Sequence, residues 1–79
     1  MKTLEINKYI VADPEICNGK PVFKGTRVMV WQVLEMLESG AAVEEILASF
    51  PSLTREHVKA ALSYATDLMR GKNYVVVTV

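Results

Sequence analysis

Three breaks, at Gly40, at Phe50-Pro51 and at Gly71, divide the second part of this chain into blocks whose apolar residues recur at helical spacing. These breaks limit the fold more tightly than any other feature. Glycine readily takes the left-handed C′ position that ends a helix, and proline lacks the amide proton a helix needs. The first block, about residues 30–39, places Val30, Val33, Leu34 and Leu37 on one side. The second, about 42–49, turns Val43, Ile46, Leu47 and Phe50 inward and carries Glu44 and Glu45 in its first turn, where the helix dipole favours negative charge. The third, about 54–70, opens at Thr54, whose hydroxyl is expected to accept a bond from a first-turn amide. Its apolar residues Val58, Ala61, Leu62, Ala65, Leu68 and Met69 gather on one side, with His57 and Tyr64 at the border.

Ahead of Val30 the period is different. Leu4 to Val11 alternates apolar and polar residues, which predicts one strand over 4–11, ended by Asp13-Pro14. Residues 12–29 read as connection, with a tight turn at Asn18-Gly19 and a short extended piece at Val22-Phe23 that Gly25 breaks. A last strand is expected over 74–79, where valines on both faces imply cover on both sides or pairing with another chain. The expected fold is one domain over 1–79, mostly α with short β: a three-helix, helix-turn-helix-like unit with strands at either end.

Several functions are disfavoured at once. The stretch GKPVFKGTR, Gly19 to Arg27, superficially suggests a phosphate-binding loop, but Lys24 precedes Gly25 where that loop needs the lysine after its second glycine. Cys17 is the only cysteine and His57 the only histidine, too few for a protein zinc site, so neither metal nor cofactor is expected. The longest apolar run, Val75 to Val77, is far below the ~20 residues that span a bilayer, and a reducing cytoplasm is the expected location. Catalysis finds little support: His57 has no evident nucleophile beside it, Asp13 and Glu15 fall in a turn, and adjacent Glu44 and Glu45 diverge on a helix.

Charge placement says more than net charge, which is zero. Lys2, Lys8, Lys20, Lys24 and Arg27 outnumber Glu5, Asp13 and Glu15 before residue 31, whereas residues 31–53 carry only Glu35, Glu38, Glu44 and Glu45. On the third helix Arg55, Lys59, Ser63, Thr66 and Arg70 fall within about 80° of one another at about 100° per residue. Each can donate to a phosphate, so this stripe is the candidate DNA surface, a solvated helix face being the plainer alternative. Lys20, Lys24 and Arg27 form a second basic group: a phosphate clamp, or cations that keep a loop soluble. Trp31 and Met36 flank the inward stripe of the first helix. With Tyr74, Val75, Val77 and Val79 they are candidates for partner binding, with a wider core as the alternative for the helical pair. A chain of 79 residues hides only ~60–65% of its unfolded surface, and homodimerisation is expected.

GKPVFKGTR ahead of a helix, then ESG, then EEILASFPSLTREHVKAALSYA, resembles the bacterial family called domain of unknown function 433, from about Ile10 to Ala65. The matching positions are Gly19, Lys20, Pro21, Gly25, Thr26 and Arg27, then Glu45, Pro51, Leu53 and Thr54. The resemblance implies a homeodomain-like or winged-helix-like fold and an antitoxin of the VapBC-like kind, which binds operator DNA and neutralises a PIN-like toxin. Met29 stands where many relatives have proline, and Ala41-Ala42 lacks the usual polar cap of the second helix. The combined expectation is a non-enzymatic DNA-binding antitoxin-like protein; the alternative is a toxin-binding or self-associating module that never touches DNA.

Overall fold

The computed structural model describes residues 3–71. A three-stranded antiparallel sheet, β1 (Leu4–Glu5), β2 (Ile10–Ala12) and β3 (Val22–Phe23), precedes three helices, α1 (Val30–Glu38), α2 (Val43–Ser49) and α3 (Arg55–Met69). The strand expected over 74–79 lies outside the described residues, as do Tyr74, Val75, Val77 and Val79.

The single strand expected over 4–11 is instead a hairpin. Leu4 pairs with Ala12 and Glu5 with Val11, and the chain reverses around Asn7. The Asn7 side-chain oxygen accepts from the amides of Tyr9 at 2.8 Å and Ile10 at 3.0 Å, so the side chain stands in for a backbone turn. The amides of Ile6 and Asn7 both donate to the Ile10 carbonyl, at 2.9 and 3.2 Å, and close the turn.

Central strand β2 is buried on both sides. Ile10, opposite Phe23, faces the helices, whereas Val11, opposite Val22, faces away, yet all four side chains are buried. Phe23, Ile10, Ile46, Val30 and Val33 are fully enclosed together, and burying each such side chain stabilises the fold by about 1.5–3 kcal/mol.

The GKPVFKGTR stretch is a scaffold of turns. Cys17 and Asn18 have φ of 50° and 59°, and Gly19 follows at 83°, three left-handed residues in a row. The Pro21 carbonyl accepts from the Val30 amide at 3.0 Å and so ties β3 to the first turn of α1. Gly25, at φ 79°, lets the chain turn back, and the Thr26 hydroxyl donates to the Phe23 carbonyl at 2.8 Å while accepting from the Val28 amide at 3.0 Å.

All three helix starts share one device. The side chain at the third helical position accepts from the N-cap amide: Gln32 for Met29 at 3.0 Å, Glu45 for Ala42 at 2.8 Å and His57 for Thr54 at 3.0 Å. Non-polar N-caps are thereby tolerated at Met29 and Ala42. The Thr54 hydroxyl meets His57 Nδ1 at 2.9 Å rather than a first-turn amide, which corrects the expected cap. Helix α1 ends as expected at Gly40, φ 93°: Gly40 donates to the Leu37 carbonyl and Ala41 to that of Met36, a Schellman motif.

The inward face of α3 differs from the expected one. Val58, Ala60 and Ala61 are buried, whereas Leu62, Leu68 and Met69 are 48%, 42% and 86% exposed. Two causes act together. His57 sits against the rings of Tyr9 and Phe23, at centroid distances of 4.9 and 5.5 Å, which rolls the buried arc toward the sheet. In addition, α3 has 15 residues against nine in α1 and seven in α2, about 22 Å against about 13 and 10 Å, so its last turns overhang the core.

Candidate nucleic-acid interface

Arg55, Lys59, Ser63, Thr66 and Arg70 are all exposed, on the arc of α3 opposite its packed side. Their alignment follows from helical geometry, and their exposure from the roll that buries Ala60 and Ala61 instead. Arg55 is engaged: its guanidinium bonds the Glu44 carboxylate on α2 across the intervening turn. That hydrogen bond, a backbone hydrogen bond at Glu44 and attraction by Arg55 hold the Glu44 carboxyl below the usual range. Both partners are exposed, so the pair adds little to stability and is open to exchange with a phosphate.

The turn between α2 and α3 is fixed from inside. Leu53, 4% exposed, drops into the core, and its amide donates to the Phe50 carbonyl at 2.9 Å. A buried anchor in the connection sets the angle at which α3 is presented.

The second basic group does not act as one cluster. Lys24 turns its ammonium to Glu5 on β1, 3.1 Å away, and its amide donates to the Tyr9 carbonyl at 2.8 Å. Lys20 and Arg27 instead adjoin Cys17: the Lys20 amide donates to the Cys17 carbonyl at 3.2 Å, and the Cys17 thiol lies 3.8 Å from the Arg27 carbonyl. Among the described residues the side chains of Lys20, Arg27, Lys59 and Arg70 form no ion pair.

Trp31 is 48% exposed, with its indole nitrogen 3.3 Å from the Met29 sulfur, whereas Met36 is half-buried against the core. Leu62 and Met69 are exposed apolar groups that helical periodicity assigned to the interior. Sequence reasoning also missed Asn7, Lys8 and Tyr9, which the hairpin brings beside Lys59 and Ser63 in an open groove of about 240 Å³. An asparagine at the midpoint of an alternating run was the available signal.

Among the described residues no group of histidine, cysteine, aspartate and glutamate is placed to hold a metal, and no helix is long and apolar enough to cross a membrane. No solved structure matches the chain. The uncharacterized protein y4eO of Sinorhizobium fredii (strain NBRC 101917 / NGR234) is 37% identical over 67 residues, which cover 84% of this chain and 30% of that protein. The chain thus spans under a third of that relative's length. A family model described as "Protein of unknown function (DUF433)" matches residues 10–65, which hold the whole GKPVFKGTR scaffold together with Arg55, Lys59 and Ser63. The chain belongs to that family.

Proposed function

We propose that this domain is a non-enzymatic DNA-binding module of the antitoxin type, with α2, the Leu53-anchored turn and α3 acting as a helix-turn-helix. The observation that carries the reading is the row Arg55, Lys59, Ser63, Thr66 and Arg70, wholly exposed on one arc of the longest helix. In this reading α3 enters a major groove with Arg55 and Lys59 toward its N-terminal end, while Lys20 and Arg27 reach phosphates and Lys24 trades Glu5 for one. A homodimer would place two such helices on successive half-sites.

A second reading has its own observation. Trp31, Leu62, Leu68 and Met69 are exposed apolar groups, suited to a protein partner such as a PIN-like toxin or a second copy of the chain. One experiment separates the two: retention on a mixed-sequence duplex beside co-purification with the neighbouring gene product. Arg55→Ala with Lys59→Ala is expected to abolish DNA retention and leave pairing intact. Unchanged retention in that double variant would overturn the DNA reading, and pairing that survives Trp31→Ala with Met69→Ala would count against the second.

A further inference from the structure

The hairpin turn gives α3 a neighbour that the alternating pattern of Leu4 to Val11 does not announce. Asn7, Lys8 and Tyr9 line one wall of the open groove, and Glu56, Lys59 and Ser63 line the other. Resting on the DNA reading above, we propose that this groove is a backbone clamp, in which one phosphodiester of duplex DNA lies between Lys8 of the turn and Lys59 and Ser63 of α3.

Charge complementarity commits the groove to this occupant. Lys8 and Lys59 form no ion pair among the described residues, whereas Lys24 and Arg55 are engaged by Glu5 and Glu44. Two lysines and Ser63 therefore line the space against one acidic residue, Glu56. Asn7 adds to the donors. Its side-chain oxygen is occupied by the amides of Tyr9 and Ile10, which leaves the NH₂ end of the amide for other partners. Tyr9 and Ala60 supply apolar lining, and charges over a poorly polarisable wall act more strongly than in open water.

Lys8 is held ready. Its ammonium lies 5.5 Å from the Tyr9 ring centroid, a cation–π contact, and Tyr9 is itself set against His57 of α3. The groove is open rather than enclosed, which suits a polymer passing through better than a small molecule that must be surrounded. It also lies beside the arc of α3 assigned to the major groove and shares Lys59 and Ser63 with it. A helix seated there brings a flanking strand past the hairpin, as phosphate contacts that position a reading helix require.

The test is the salt dependence of binding to a mixed-sequence duplex about three helical turns long, with the full chain. Lys8→Gln is expected to lower the log–log slope by ~0.9, the loss of one neutralised phosphate, and to weaken binding equally on different sequences. Lys8→Arg is expected to keep the wild-type slope. Equal thermal midpoints for the two variants would place the effect on contact rather than folding. A Lys8→Gln slope equal to wild type, with Lys59→Gln still reducing it, would overturn the clamp and spare the DNA reading. Failure of the wild-type chain to bind duplex at low salt would overturn both.

Discussion

Thr26 and Gly25 hold the turn through which the sheet reaches the first helix. The Thr26 hydroxyl makes two bonds to backbone groups of Phe23 and Val28; the Phe23 carbonyl keeps the Thr26 amide, so Thr26→Val, equal in shape, strands the Val28 amide and is expected to cost about 1–3 kcal/mol. Gly25→Ala places a side chain at φ 79° and is expected to cost about 1–2 kcal/mol, although nothing lies within 4 Å of the added carbon. Lys20→Ala and Arg27→Ala are expected to stay within about 0.5 kcal/mol of wild type, since neither side chain has an ion-pair partner among the described residues. Urea unfolding of the four variants checks the division, which separates residues of the stretch that build the fold from those left to meet something else.

The paired ends of α2 and α3 respond to pH. Glu44 is held below the ordinary glutamate range, so its contribution to stability is complete above that range and is lost as pH falls through the lower, folded-state value. An NMR titration is expected to find the Glu44 midpoint below that of free glutamate, and Arg55→Ala is expected to move it upward. An unchanged midpoint in Arg55→Ala would show that the guanidinium is not its cause. The helices were legible in the sequence because each block keeps its period up to a breaker, as α1 does to the Schellman glycine at Gly40. The hairpin was not: Leu4 to Val11 alternates as a continuous strand would, and only the Asn7 side chain, capping two amides, folds it in half. The roll of α3 was hidden for a different reason. A wheel treats a helix as evenly covered, whereas this one is pulled toward Tyr9 and Phe23 at one end and overhangs its shorter neighbours at the other. The polar stripe survived the error because Arg55, Lys59, Ser63, Thr66 and Arg70 share an arc whatever the helix packs against.

For the molecule as a whole, neutrality makes placement decisive. Glu35, Glu38, Glu44 and Glu45 are exposed on α1 and α2, while the polar arc of α3 carries Arg55, Lys59 and Arg70 with Glu56 at its border, and Lys59 lies across the groove from the hairpin's Lys8. On the DNA reading proposed above, the contacts should map onto one arc of one helix. Amide chemical-shift mapping of the full chain, titrated at low salt with a mixed-sequence duplex, reads that arc directly. The largest changes are expected along Arg55, Lys59, Ser63 and Thr66, with a smaller set at Lys8 and Tyr9. The absence of any change, or changes confined to the α1 side around Trp31, would contradict the assignment of α3 as the DNA-reading helix.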